Sequence, residues 1–236
     1  MRRPVVGTYI IGQTPRPDLT DGVSKRFPDA DFVVVGALDG TAVSAVPPPR
    51  SGGFPLETTL QDGTRVEVDA EVLEPKIQNA ISALDSEVTA HLVLCAGPFP
   101  GLVGEQPLIR PFELSASVLR EEGVEKLVAV VPFIEQAGPS VAKWASAGFE
   151  AQAHVATLAG FVPDDGMRAG GSGPVGRALR DGLSASALHA DADALVFDYV
   201  GLSPALLDLT RTLLELPVFD LGEMAINALD AVLADT

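Results

Sequence analysis

Short, continuously apolar runs alternate along this chain with segments long enough to be amphipathic helices, and that alternation limits the folds open to it. Residues 5–11, 31–36, 92–94, 127–131, 150–155, 194–197 and 217–219 read as strands. Between 73 and 84, Leu73, Ile77, Ala80, Ile81 and Leu84 recur at steps of three and four, the period of one helix face. Further helices are expected over 19–27, over 113–122 with Gly123 beyond the last turn, over 135–147 with a start delayed by Gly138-Pro139, over 175–188, over 204–214 with Ser203 as N-cap, and over 221–233. Strand and helix in alternation build parallel-sheet α/β architecture. Strands that are apolar throughout, rather than at every second residue, have both sheet faces covered. One stretch departs from this pattern. Residues 56–60 and 64–68 flank Gln61-Asp62-Gly63, a strong short-range hairpin signal. Residues 45–55 and 162–173 are rich in Gly or Pro and read as loops, the first as a flap.

Composition excludes several classes. At 47% hydrophobic residues over 236 positions the chain can bury a sizeable core and is not disordered. Its one cysteine, Cys95, rules out a disulfide framework. No run of about 18 apolar residues spans a membrane. The first residues run straight into a strand instead of a signal peptide, so a cytoplasmic protein is expected. With 32 acidic against 16 basic residues, the net charge is −16. Nucleic acid and anionic membranes are therefore excluded as partners. A small carboxylate is not excluded, because one Arg and a few backbone N–H groups can hold it.

Cys95 ends a strand. Near helix N-termini its thiol is a candidate thiolate, and otherwise it is a small buried hydrophobe. Gly12-Gln13-Thr14-Pro15-Arg16-Pro17-Asp18 follows the first strand, where ligands commonly bind in parallel sheets. There Gln13 and Thr14 offer hydrogen bonds and Arg16 offers a bidentate carboxylate clamp. The alternative is a surface turn with Asp18 capping the next helix. A single glycine does not make a dinucleotide fingerprint. Leu92–Gly97 and Val196–Gly201 form a weak internal repeat, Cys95 falling opposite Tyr199 and Gly97 opposite Gly201. Asp198 and Tyr199 are thus candidates for a second strand end, Tyr199 as an acid or as an aromatic wall. His91, His154 and His189 have no metal-ligand spacing, no nucleophile-elbow motif is present, and Gly170-Gly171-Ser172-Gly173 lacks the Lys of a phosphate loop.

The stretch from Ile11 to Asp18 resembles the N-terminal signature of the AroM family. Leu94-Cys95-Ala96-Gly97-Pro98-Phe99-Pro100 resembles its Cys-Thr-Gly-x-Phe-Pro stretch, and Val131-Pro132 with Gln136, and Asp198-Tyr199-Val200-Gly201, fall where family segments do. The resemblance implies kinship with the aspartate/glutamate racemase superfamily. It therefore implies two pseudo-symmetric α/β lobes with parallel sheets flanked by helices, and a ligand cleft between lobes. The lobes expected are residues 1–107 plus 217–236, with a hairpin near 56–68, and residues 108–216. In the superfamily's racemases one cysteine from each lobe faces the α-carbon, and no cofactor is needed. Cys95 matches the first. Tyr199 stands where family members commonly carry the second, so this chain departs from the two-thiol pattern. Single-cysteine decarboxylases and isomerases of the superfamily show that one thiol suffices for other chemistry.

Three readings stay open. The first is a cofactor-independent, metal-free isomerase or lyase acting beside a carboxylate. Its catalytic candidates are Cys95 and Tyr199, and its substrate-binding candidates are Gln13, Thr14, Arg16, Ala96, Gly97, Pro132, Asp198, Val200 and Gly201. The second is a non-catalytic binder or sensor of a small carboxylate, and the third an interaction protein. A homodimer is allowed by the resemblance, although no interface signature is visible.

Overall fold

A computed structural model describes residues 3–155, 191–202 and 204–235. The helix expected over 175–188, the loop over 162–173, His189 and the Ser203 cap lie outside the described residues. The chain divides into two compact units, Met1–Ser115 with Gly222–Thr236, and Ala116–Leu221.

Unit one holds a parallel sheet of β1 (Val5–Ile10), β2 (Asp31–Gly36), β5 (Ala90–Val93) and β6 (Leu108–Ile109), in the order β2-β1-β5-β6. Side chains alternate across it as strands require. Tyr9, Ile11, Val93 and Cys95 join the apolar cluster built with Leu73, Ile77 and Ile81 of α2 (Ala70–Leu84). Val6, Ile10, Leu92 and Leu94 join the cluster built with Val23 of α1 (Pro17–Arg26) and with Ala225 and Leu229 of the last helix. Both faces are covered, as continuous apolar strands demand. The hairpin forms from β3 (Pro55–Thr59) and β4 (Arg65–Asp69). Its turn sets Gly63 at φ +84, a conformation that suits glycine, and Thr64 N–H donates to Asp62 at 2.8 Å.

Unit two holds β7 (Lys126–Val131), β8 (Glu150–Val155), β9 (Ala194–Phe197) and β10 (Val218–Asp220), in the order β10-β9-β7-β8. Counted along the chain, each sheet has the order second, first, third, fourth. The units therefore share one topology, and β5 and β9 are its third strands. Within unit two, α4 (Ala137–Ser146) lies in sequence between β7 and β8, and α5 (Pro204–Leu213) between β9 and β10. Phe197, Val130, Leu206 and Leu207 form an apolar cluster with Tyr199 packed against it. Helix α3 (Pro111–Glu121) crosses the boundary between units, and the last helix, α6 (Leu221–Ala234), belongs almost wholly to unit one.

Several boundaries differ from the sequence expectation. Helix α1 begins at Pro17, whose fixed φ and missing N–H suit a first helical position. Asp18 therefore sits in the first turn, and Arg16 occupies the cap position through its backbone carbonyl. Helix α2 starts at Ala70, ahead of Leu73, because Ala70 extends the same buried stripe. Gly138-Pro139 delays α4 only as far as Ala137, since a first-turn proline forfeits no helical hydrogen bond. Strand β6 is two residues long and too short to leave a periodic signal.

Candidate active site

The candidate residues lie in loops that leave the carboxyl ends of the parallel strands. In unit one, the loop after β1 is anchored on two sides. The Gln13 amide donates to the carbonyls of Leu38 at 2.9 Å and Thr41 at 2.7 Å, and its oxygen accepts the Gln61 N–H at 2.8 Å. Asp39 accepts the Thr14 N–H at 2.7 Å and the Thr14 hydroxyl at 3.0 and 3.1 Å, and also the Gly36 N–H at 2.9 Å. Gln13 and Thr14 thus spend their polar groups on the loop itself. Asp39 was missed in the sequence; its signal there was Gly36-Ala37-Leu38-Asp39-Gly40, a polar turn directly after a strand.

Arg16 binds a carboxylate in the expected forked geometry, but the carboxylate is that of Asp18. Arg16 Nε lies 2.8 Å from one oxygen and Nη2 2.6 Å from the other. The guanidinium holds the Asp18 carboxyl below its usual range. Asp18 is exposed, so an incoming carboxylate can displace it by exchange at the same fork.

Cys95 is 4% exposed and sits in the apolar cluster with Ile11, Leu56 and Phe99. Its sulfur accepts the Gly97 N–H at 3.3 Å. The hairpin, absent from the candidate set, covers both loops. A Cβ at Gly97 would stand 2.9 Å from Leu56, and one at Gly12 would stand 2.4 Å from Thr58 Oγ1 and 2.6 Å from the Thr59 carbonyl. Leu56 and Thr58 share one face of β3 because they are two residues apart. The loops of Gln13 and of Cys95, with Ala96 and Gly97, are therefore brought under one strand. Thr58 Oγ1 is buried there with no hydrogen-bond partner among the described residues.

In unit two, Asp198 does not face outward as a ligand-binding group. Its carboxylate accepts Lys143 Nζ and Ser140 Oγ, each at 2.5 Å, and Trp144 Nε1 at 3.2 Å. The Lys143 and Asp198 side chains are 2% and 1% exposed. The three donors come from i, i+3 and i+4 on one face of α4. That spacing is visible in the sequence, but nothing there names the carboxylate that the three donors meet. Tyr199 points to the opposite sheet face, its ring edge-on to Phe197 at 5.9 Å. The hydroxyl is buried without a hydrogen-bond partner among the described residues. Burial, and then the charge of Asp220, push this phenol upward. Pro132 follows β7 half-buried, Val200 is half-buried, and Gly201 is exposed with φ +94.

A second buried chain links Tyr9, His91 and Asp85. The Tyr9 hydroxyl lies 2.7 Å from His91 Nδ1, and His91 Nε2 lies 2.8 Å from Asp85. Asp85 also accepts the Glu105 and Gln106 N–H groups. His91 belongs to the start of β5, so this chain ties that end of the sheet to the end of α2. Among the described residues no group of three or more His, Cys, Asp or Glu could hold a metal, and no helix is long and apolar enough to cross a membrane.

The fold is shared with solved proteins at low identity. Arylmalonate decarboxylase matches at 14% identity with a TM-score of 0.60, over 98% of this chain and 92% of that one. Picrophilus torridus aspartate racemase matches at 13% and 0.53, over 98% and 94%. Francisella tularensis glutamate racemase, in complex with D-glutamate, matches at 14% and 0.56, over 100% and 82%. No curated protein matches the sequence. The parallel α/β architecture is thus that of the racemases and decarboxylases. The family described as AroM protein matches residues 6–229, nearly the whole length, and this chain is a member of the AroM family.

Proposed function

We propose that this protein is a cofactor-independent enzyme that moves a proton at a carbon next to a carboxylate, with Cys95 as its thiol acid–base group. The observation that carries the reading is Cys95 Sγ just beyond the third strand of unit one, accepting the Gly97 N–H. A backbone donor on sulfur stabilises the thiolate left once the thiol has given its proton to carbon, and that thiolate is also the form that takes a proton back. Arg16, in the loop after β1, supplies the carboxylate fork once Asp18 is displaced, and the Ala96–Gly97 backbone belongs to the loop of Cys95. The structural relatives support the substrate class, since arylmalonate, aspartate, maleate and glutamate are all carboxylates.

Tyr199 is the second acid of this proposal. Removing a proton on one face and returning it on the other needs two groups that can each act as base. A phenol pushed upward by burial stays protonated and can only donate. One-sided protonation, after decarboxylation or during isomerisation, therefore fits this chain better than racemisation. In decarboxylation the substrate C–C bond breaks, carbon dioxide leaves, and the electron pair on carbon takes the thiol proton.

A second reading has its own support. The 4% exposure of Cys95 among apolar side chains suits the wall of a carboxylate-binding pocket. One experiment separates the two. Malonates, maleate, aspartate and glutamate are incubated with the protein in deuterated water and followed by proton NMR. Carbon dioxide loss, double-bond isomerisation or deuterium uptake at the carbon beside a carboxylate, absent in Cys95→Ala, is the expected result. Turnover that survives in Cys95→Ala removes the thiol mechanism. Thermal stabilisation by a panel member without any turnover establishes the binder.

A further inference from the structure

Leu94 and Asp198 are equivalent positions with opposite chemistry. Each is the first residue beyond the third strand of its sheet, and each backbone N–H continues the ladder, Leu94 to Tyr9 at 2.8 Å and Asp198 to Val130 at 2.9 Å. Each side chain faces the side of its sheet where the helix after the first strand packs. Leu94 lies in the apolar cluster of α1, and Asp198 accepts three donors from α4. The fold therefore does not require a charge at this place, because unit one fills it with a leucine.

Nor does stability account for it. Taking a carboxylate and an ammonium out of water is expensive, and well-packed apolar replacements of a buried pair are often as stable or more so. What a saturated network does supply is a single backbone and side-chain arrangement. The residue that inherits that arrangement is Tyr199, next along the chain. Its phenol has no hydrogen-bond partner of its own among the described residues.

We infer that Lys143, Ser140 and Trp144 are positioning residues that act through Asp198 to hold Tyr199 in one orientation at the end of β9. Their effect on turnover rests on the proposed acid role of Tyr199; their effect on its orientation does not. The two consequences are read separately.

The chain has two tyrosines and one tryptophan. Full-length protein labelled with meta-fluorotyrosine gives two fluorine resonances, and Tyr199→Phe assigns them. The paired variant Lys143→Met with Asp198→Leu copies the chemistry of unit one. We expect it to fold but to melt somewhat below the unaltered protein, because Ser140 and Trp144 lose their acceptor, with the Tyr9 resonance unmoved and the Tyr199 resonance shifted and either broadened or split. On a substrate that the protein turns over, kcat falls about tenfold or more with KM little changed, as for a misplaced reacting group. Adding Tyr199→Phe to the pair brings it to the level of Tyr199→Phe alone and no lower. Should the pair fail to fold, Ser140→Ala removes one donor alone and shifts the same resonance by a smaller amount. A Tyr199 resonance that stays put in whichever of these variants folds overturns the inference. If Tyr199→Phe by itself turns over at the full rate, the acid role fails, while the resonances still decide whether the network positions the ring.

Discussion

After β5 the chain runs Leu94-Cys95-Ala96-Gly97, and after β9 it runs Asp198-Tyr199-Val200-Gly201. Both strands are third in sheets of the same order, so these are two versions of one structural position. In unit one the supporting residue is apolar and the chemical group carries its own hydrogen bond, from Gly97 N–H to sulfur. In unit two the supporting residue is charged and saturated, and the proposed chemical group has no hydrogen-bond partner among the described residues. Chemistry and support are exchanged between the two ends. A small thiol needs only a turn around it. A bulky phenol swings on a longer lever and needs its backbone held.

The largest expected effect breaks the comparison at the thiol. Cys95→Ala should reduce turnover of the carboxylate substrate by about 10⁴-fold, the upper range for a lost acid–base group. Steady-state rates measure it, with circular dichroism to establish that the fold is kept. A similar loss from Tyr199→Phe would mean that the two ends contribute equally. We expect Tyr199→Phe to cost about a hundredfold, since a donor that never changes charge does less than the group that moves the proton.

The next effect concerns support. Lys143→Met alone leaves the Asp198 carboxylate buried without its cation. It should destabilise the protein by about 3–5 kcal/mol, the usual result of breaking a buried pair from one side. Equilibrium urea unfolding measures it. At the equivalent place, Leu94→Val removes one methylene from an apolar cluster and should cost only about 1 kcal/mol. Equal losses at the two positions would show that the polar network is no different in kind from packing.

Much of this architecture was legible in the sequence, and the reason is physical. Strands covered on both faces leave unbroken apolar runs, so β1, β7 and β9 stood out. The turn Asp62-Gly63 declared the hairpin because a left-handed backbone suits glycine. The correspondence of Cys95 with Tyr199 was visible as a six-residue echo and is now carried by strand order. What stayed hidden depended on contacts between distant segments. Nothing local marks Asp198 as the partner of Lys143, 55 residues earlier, or Asp39 as the anchor of Thr14. The sequence offers Arg16 as a clamp for an incoming carboxylate, and in the structure Asp18, two residues on, already fills the fork.

A smaller effect tests how tightly the hairpin closes on unit one. Gly12→Ala would place a methyl group 2.6 Å from the Thr59 carbonyl, which belongs to β3 and yields little. It should cost about 1–3 kcal/mol. Gly97→Ala meets the end of the Leu56 side chain at 2.9 Å, which can rotate away, so it should cost less. Thermal melts rank the two. The reverse order would mean that the loop after β5, not the loop after β1, is the one the hairpin clamps.

The smallest effect compares the two phenols by pH. Burial pushes both Tyr9 and Tyr199 above the ordinary value of 10.0, with the Asp85 charge adding to the first and the Asp220 charge to the second. A group whose pKa is raised on folding lends stability that is complete below its unfolded value and drains away as pH climbs above that value. Above pH of about 10 the unfolded chain releases both phenolic protons while the folded chain keeps them, so stability should fall from there upward. Tyrosinate absorbance should appear with unfolding and not ahead of it. Each Tyr→Phe variant removes one proton from this linkage and should make the alkaline limb of a melting-point profile shallower. Tyr199→Phe deletes a hydroxyl that bonds to nothing described, so it should do this at little cost near neutral pH. Tyr9→Phe strips His91 of its buried partner and should lower the neutral plateau as well. The contrast between a phenol that bonds across the sheet and one with no described partner at a strand end then becomes a difference between two curves.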